Sequence, residues 1–308
     1  ANTLAGLVHG LSDNMLLTTA LAIRCPLLIC PTMDGGMFRS AAVSRNLKLA
    51  RELGFHILEP DHGYLASGIV DEGRLPETSD IIQAISNLLV PESDLTLKGK
   101  RVMVSAGPTR EYIDAVRFIS NPSSGKMGVA MAEAALAMGA EVTLYHGKLA
   151  VPLPSAVTNV PFTSAQDLFD AVSARSDEFD IIVMAAAVSD FTPVEKSEKK
   201  IKKSVADTNI SLKPTPDTLK WLGEHKRGGQ LLIGFAMETE NLEAEVDRKR
   251  REKNADWIAG NLLNAPDSGF EGDENTILLK SADEAHLLKG TKREVALKIL
   301  EISSRNLI

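Results

Sequence analysis

Four groups of residues in this chain have the types and spacing to do chemistry. The first is the helix start Ser123-Ser-Gly-Lys126. It follows a buried strand over 101–106 and a long polar loop that runs through Gly107-Pro-Thr-Arg-Glu111 and Arg117-Phe-Ile-Ser-Asn121. A helix opening in this way turns free backbone N–H groups and the positive end of its dipole toward a ligand, so the run reads as an anion site. Neither common phosphate-binding pattern accounts for it. A Walker A loop requires glycine at 120 and Ser or Thr at 127, where the chain has Ser120 and Met127. A dinucleotide fingerprint requires G-x-G-x-x-G straight after the strand, and here Gly107 is followed by Pro108-Thr109. An ordinary polar helix cap is the alternative, because Ser and Gly are common at helix starts.

The second group is Asp180-Ile-Ile-Val-Met184-Ala-Ala-Ala-Val-Ser-Asp190. Small side chains at the carboxyl end of a parallel strand let a ligand approach the backbone, at the edge where open α/β sheets bind ligands. Asp190 suits a ribose, a metal or a plain turn. The third is Glu195-Lys-Ser-Glu-Lys-Lys-Ile-Lys-Lys203, five lysines in an otherwise acidic chain. It reads as a solvated loop or as a flap that closes on a polyphosphate, with Lys200 neutralising leaving-group charge. The fourth is Arg248-Lys-Arg-Arg-Glu-Lys253, which sets Lys249 and Lys253 on one helix face or simply makes a cationic last turn. Gly234-Phe-Ala-Met-Glu-Thr239 adds Phe235, either a base-stacking ring or core.

These residues need elements to hold them. At 308 residues the chain has room for two domains. A net charge of −7 argues against generic nucleic-acid binding, and no apolar run reaches membrane-spanning length. Cys25 and Cys30 fall on opposite faces of a strand, the six histidines are scattered, and no zinc site is suggested; a reducing cytoplasm fits. Residues 1–92 predict a helix over 4–22, a strand over 26–30, a helix over 40–53, a strand over 56–59 and a helix over 77–89. Two strands make a poor independent sheet, so an earlier part of this domain is expected to be missing. Residues 93–99 read as the linker. Over 100–308, strands are predicted at 101–106, 141–146, 158–162, 180–186, 231–235, 256–260 and 276–280. Helices are predicted at 125–139, 165–177, 216–226, 241–253 and 292–304. This alternation implies a Rossmann-like α/β fold with a mostly parallel sheet covered on both faces.

Taken together, the motifs Ser105-Ala-Gly-Pro-Thr-Arg-Glu111, Arg117–Gly128, Ala185–Asp190, Lys200-Ile-Lys202, Pro216-Asp217, Gly234–Thr239 and Lys249 with Lys253 resemble the phosphopantothenate–cysteine ligase family. That family is usually fused to phosphopantothenoylcysteine decarboxylase in one bifunctional coenzyme A biosynthesis protein. The resemblance implies CTP-dependent activation of 4′-phosphopantothenate as an acyl-cytidylate, then displacement of CMP by L-cysteine. It implies that Asn121 handles the intermediate, offering an amide donor to the developing oxyanion. Lys200 would be the flap lysine and Arg117 would lie near the substrate phosphate. Met184, Ala185, Ala186, Asp190, Pro216, Asp217, Thr218, Leu219, Phe235, Lys249 and Lys253 would bind CTP. Mg²⁺ would arrive with the nucleotide phosphates. A homodimer through the ligase domain follows too, and a higher oligomer if the decarboxylase domain is complete.

Residues 1–92 resemble the rear part of a partial flavoprotein-type α/β domain, the FMN-dependent decarboxylase. Asn2 matches the end of a flavin-contacting motif. Two positions depart from the common pattern: Pro-Ala-Met-Asn is Pro31-Thr-Met-Asp34, and Ala-Cys-Gly is Ala66-Ser67-Gly68. Serine is a much weaker acid than cysteine near neutral pH. The residues alone leave CTP and ATP open. A nicotinamide-dependent oxidoreductase and a non-catalytic flavin- or nucleotide-binding module are the competing readings.

Overall fold

The computed structural model describes residues 1–89, 95–202, 209–238, 240–262 and 274–307, with Asn87 and Asn306 described by backbone alone. Lys203, Thr239, residues 90–92 and residues 93–94 of the expected linker lie outside the described residues. The chain divides into two compact units, Ala1–Glu92 and Ser93–Ile308.

In the first unit the single helix expected over 4–22 is two helices, Asn2–Val8 and Met15–Ala22. Gly10 adopts a left-handed φ of 66° between them, and the Asn14 side chain caps the second by accepting from Leu17 N–H. The strand pair is parallel but only two residues long, Leu28–Ile29 against His56–Ile57. The glycine-dotted loop after it is an antiparallel hairpin, Asp61–Tyr64 with Val70–Arg74. Leu4, Val8, Val43, Leu47 and Ala50 form a small core where the first helix meets the Ala41–Glu52 helix. Cys25 and Cys30 are free thiols.

The second unit carries an eight-stranded sheet. Its strands are β1 (Arg101–Ala106), β2 (Glu141–His146), β3 (Thr158–Pro161), β4 (Ile181–Met184), β5 (Leu231–Glu238), β6 (Trp257–Leu262), β7 (Glu274–Lys280) and β8 (Ala285–Thr291). Their spatial order is β8-β7-β6-β5-β4-β1-β2-β3. The pairs from β3 through β6 are parallel, whereas β7 and β8 run antiparallel. Strict alternation along β1 divides the core. Val102, Val104 and Ala106 pack with the helices Lys126–Ala137 and Lys292–Ser303 on one face. Met103 packs with Leu168, Leu222 and Val246 of the helices Ala165–Ser173, Thr218–His225 and Leu242–Glu252 on the other. The mostly parallel α/β class is therefore as the sequence predicts.

Several boundaries move for local reasons. The helix expected over 216–226 begins at Thr218, because Asp217 is its cap and accepts from Lys220 N–H at 3.0 Å. The helix expected over 165–177 ends at Ser173, and a separate 3₁₀ turn covers Ser176–Glu178. Leu97, inside the expected linker, is fully buried in the second unit's core and donates its N–H to Met138 O. The long polar loop after β1 is not irregular throughout. Arg110–Tyr112 pairs antiparallel with Phe118–Ser120, and a second hairpin joins Phe191–Pro193 to Leu212–Pro214. Among the described residues, no helix is long and apolar enough to cross a membrane.

Candidate active site

The strand order reverses between β1 and β4: from β1 the chain moves outward to β2 and β3, then returns to add β4, β5 and β6 on the other side. Such a switch point opens a crevice at the carboxyl ends of the two central strands. The loops leaving β1 and β4 meet there. Ser105 Oγ accepts from Ala186 N–H at 3.1 Å, Gly107 O accepts from Ala187 N–H at 2.9 Å, and Thr109 Oγ1 accepts from Ser189 N–H at 3.0 Å. These bonds fix the small-residue edge Ala185–Ala187 beside the polar loop.

Asn121 belongs to this stitching. Its Nδ2 donates to Val188 O at 2.9 Å, with Ala187 O at 3.4 Å. Both acceptors are carbonyls, so the amide orientation is set, and the ligand-facing capacity of Asn121 is its Oδ1 and the remaining N–H. The amide donor expected for an oxyanion is thus partly committed to the protein.

The helix Lys126–Ala137 starts at Gly125, which is left-handed with φ 78° and has no side-chain cap. A Cβ on Gly125 would lie 2.2 Å from Leu149 Cδ2. A Cβ on Gly128 would lie 2.5 Å from Ala106 Cβ, so glycine lets the first helical turn sit directly against β1. Ser123–Gly128 and the Ala185–Ala187 edge line one cleft, together with Asn121 and Phe235; its empty volume is about 780 Å³.

The far wall of this cleft holds residues absent from the sequence expectations: Asn261 at the end of β6, Asn275 in β7, and Lys292. Thr276 N–H donates to Asn275 Oδ1 at 3.1 Å, which fixes that atom as oxygen. Asn261 Nδ2 then donates to it at 2.7 Å. Asn261 Oδ1 is left buried and without a hydrogen-bond partner among the described residues. The available signal was a polar residue ending an apolar strand, which the predicted boundary at 260 cut off.

Other expected site residues stand outside the cleft lining. Met184 is buried beneath it, and its Sδ lies 3.7 Å from Ser105 Oγ. Leu219 packs into the space left by Gly234, where a Cβ would lie 2.6 Å from Leu219 Cδ2. Thr218 is buried. Asp190 is exposed, and its carbonyl accepts from Thr215 N–H at 3.0 Å, beside Pro216. Lys253 pairs with Asp217, and Lys249 with Glu238 at 2.7 Å.

Arg117 is the largest departure in local setting. Its guanidinium grips Asp114, with Nε 2.9 Å and Nη2 2.5 Å from Oδ2, and Nη2 also donates to Ile201 O at 2.7 Å. The backbone N–H of Arg117 holds the Asp114 carboxyl far below the usual carboxylate range, aided by Val116 N–H and the guanidinium and opposed by burial. The lysine segment therefore lies on the first hairpin, with Lys200 exposed.

In the first unit, Asp34 and Ser67 line one cleft with Thr32, Tyr64 and Arg74, whereas Asn2 opens the first helix and does not line it. Asp34 Oδ1 accepts from Gly36 N–H at 3.0 Å. Among the described residues, no group of three or more His, Cys, Asp or Glu converges as a metal cage.

Residues 97–305 match the DNA/pantothenate metabolism flavoprotein C-terminal domain family, and residues 1–90 match the Flavoprotein family. A relative from an unknown prokaryotic organism, named cysteine/cysteine sulfinic acid decarboxylase, is 42% identical over 97% of this chain and 85% of its own. The coenzyme A biosynthesis bifunctional protein CoaBC of Bacillus subtilis (strain 168) is 40% identical over 98% of this chain and 75% of its own. The crystal structure of a C-terminal domain of a coenzyme A biosynthesis bifunctional protein CoaBC superposes with a TM-score of 0.57 at 41% identity, covering 67% of this chain and 95% of that one. The switch-point cleft and these matches agree: the chain belongs to the coenzyme A biosynthesis bifunctional proteins that carry the DNA/pantothenate metabolism flavoprotein C-terminal domain.

Proposed function

We propose that the second unit joins 4′-phosphopantothenate to L-cysteine at the expense of CTP. The observation that carries this reading is the convergence of Asn121, the Ala185–Ala187 edge and a helix N-terminus that opens on Gly125 in one cleft at the sheet's switch point. In the first step a substrate carboxylate oxygen bonds to the α-phosphorus of CTP and the bond to pyrophosphate breaks. In the second, the cysteine amine bonds to the acyl carbon, CMP leaves, and the amine loses a proton. The first step brings two anions together, so N–H dipoles and lysines would lower its barrier. The neutral amide of Asn121 can orient the acyl group without adding charge.

Lys200 would neutralise charge on the departing pyrophosphate; Lys249 and Lys253 would hold the triphosphate, and Phe235 and Asp190 the nucleoside. Arg117 would lie toward the substrate phosphate. Mg²⁺ would enter on the phosphates, as this ion usually does, with Asp190 the available carboxylate at the sheet edge. Residues 100–308 form the ligase domain, working as a homodimer in the cytoplasm. Residues 1–92 belong to an FMN-dependent decarboxylase domain. There bound FMN would supply the redox chemistry that makes loss of CO₂ easy, and Asp34 and Ser67, which line one cleft, would face the substrate. The name of the 42% identical relative favours a second reading, decarboxylation of a cysteine-type substrate by this unit.

The test is release of pyrophosphate by the purified chain with 4′-phosphopantothenate, cysteine and Mg²⁺, CTP compared with ATP. The reading expects CTP-dependent release that needs cysteine for turnover and falls at least 10²-fold in Lys200→Gln, about the effect of losing one charge-stabilising group. No release with either nucleotide, alongside CO₂ release from free cysteine or cysteine sulfinic acid, would establish the second reading instead.

A further inference from the structure

The lysine segment Glu195–Lys202 is exposed at most of its positions, yet it is tied to the first hairpin at two places. Ser197 N–H donates to Ile113 O at 3.0 Å, and the Lys196 ammonium lies 5.2 Å from the Tyr112 ring centroid. The second tie is at Ile201, and it takes both backbone polar groups of that residue. Ile201 N–H donates to Asp114 Oδ2 at 3.2 Å, and Ile201 O accepts from Arg117 Nη2 at 2.7 Å. The two ties flank Lys199 and Lys200.

The Asp114 side chain is fully buried, and its two oxygens have different work. Oδ1 accepts from Val116 N–H and Arg117 N–H, both at 2.8 Å, closing the turn between the hairpin strands. An asparagine would serve that turn equally well. Among the described residues, the charge and the second oxygen are used only by the Arg117 guanidinium and by Ile201. Burying a carboxylate is costly unless it is paired, so the local turn alone does not explain an aspartate here.

We propose that Asp114 is a positioning residue for the ligase reaction: through Oδ2 and the Arg117 fork it clamps the backbone of Ile201 and so fixes where the neighbouring Lys200 ammonium can stand. This rests on the role of Lys200 given above. A cation on an unanchored loop loses the advantage of pre-set geometry, and misplacement by about 1 Å costs on the order of 10²-fold in rate.

Asp114→Asn is the informative variant, because it keeps the Oδ1 turn bonds and turns an NH₂ toward three N–H donors, Arg117 Nε and Nη2 and Ile201 N. Hydrogen exchange is measured first, on the whole chain without substrates. The clamp predicts faster exchange over 197–202 in Asp114→Asn, with unchanged protection in β1 and β4. Unchanged exchange over 197–202 overturns the proposal whatever the enzyme does. Kinetics follow: kcat for pyrophosphate release is expected to fall 10- to 100-fold in Asp114→Asn. In a Lys200→Gln background the same change is expected to cost less than about threefold, the non-additivity of residues acting through one group. Additive losses, or a loss confined to KM for phosphopantothenate, would mean that Asp114 acts through Arg117 and not through the lysine segment. If the wild-type chain releases no pyrophosphate, the ligase reading fails, while the exchange result still decides whether the clamp exists.

Discussion

Gly128 offers the sharpest test of how the cleft is built. In an exposed helix, replacing glycine with alanine is worth about 1 kcal/mol in the helix's favour. Here the new Cβ would stand 2.5 Å from Ala106 Cβ, 2.8 Å from Ala106 Cα and 2.9 Å from Ser105 O. Carbon atoms rest at about 3.5–4.0 Å, so the helix must withdraw by about 1 Å. The opposing atoms are backbone and Cβ of a central strand, which has neighbours on both sides. Overpacking of this kind costs about 1–3 kcal/mol, leaving a net loss of up to about 2 kcal/mol after the propensity gain. For a unit of this size that lowers Tm by up to about 8 °C. Both tryptophans, Trp221 and Trp257, lie in the second unit, so their fluorescence reports its unfolding without the first. Withdrawal would also carry the Ser123–Gly125 N–H groups away from β4, and turnover is expected to fall on the order of 10²-fold. Gly228→Ala is the control, since a Cβ there meets nothing within 4 Å. A Gly128→Ala protein that melts at or above the wild-type temperature with full turnover would refute the close-approach argument.

Two further predictions test separate features. Asn121→Asp sets a carboxylate against the Ala187 and Val188 carbonyls where the amide nitrogen donated, and adds negative charge beside the reacting anions; pyrophosphate-coupled turnover should drop about 10²–10³-fold with the melting curve shifted by only a few degrees. In the first unit, the hydrogen-bonded Arg39 guanidinium pulls the Asp71 carboxyl from 3.8 down to about 2. A lowered native pKa means that this contribution to stability is complete above the unfolded value and is lost as pH falls through the native one. Urea titrations monitored on the first unit should therefore weaken between pH 4 and 2, and Asp71→Asn should remove that part of the slope; an unchanged slope would exclude the ion pair as its source.

The large sheet was legible because its strands are short apolar runs spaced by amphipathic helices, and β1, β2, β4 and β5 bury almost every side chain. β8 was not legible. Only Leu288 is buried in Ala285–Thr291, Leu287 is 72% exposed, and the segment has no apolar alternation to read. The hairpins at the carboxyl edge were hidden for a related reason. Each strand is three residues long, and their pairing depends on contacts with the loops they face, which no local propensity encodes. In the first unit, Leu11, Met15, Leu16 and Leu21 are exposed, so apolar residues lie all round the 4–22 segment and hide the break at Gly10. Within the site, residues that share one loop were readable as motifs. Asn261 and Asn275 were not, because antiparallel pairing of β6 with β7 brings them together and nothing in either segment alone points to the other.

Charge arithmetic in the site joins these observations. Lys249 and Lys253 look from sequence like either a dipole-stabilising last turn or a phosphate clamp, and the structure shows the first of these settings. Both lie at the carboxyl end of the Leu242–Glu252 helix, where its dipole favours cations, and each also faces a carboxylate from another element. Glu238 comes from the end of β5, and Asp217 from the cap of the Thr218–His225 helix. Each of these two lysines is thus balanced by one carboxylate, and a triphosphate held there, as the ligase reading proposes, would compete with Glu238 and Asp217. A nucleotide binding there must displace the carboxylates or bring its own counter-ion, and either route keeps the net attraction modest. Further positive charge can come from the lysine segment after β4, with Lys196, Lys199, Lys200 and Lys202 among the described residues. That segment is held at Ser197 and at Ile201, the second time by a buried aspartate whose turn needs no charge. The chain thus keeps these lysines outside the cleft lining but ties their backbone to the loop that carries Asn121, and under the proposed ligase reaction that tie would couple delivery of positive charge to the geometry of the reacting carboxylate.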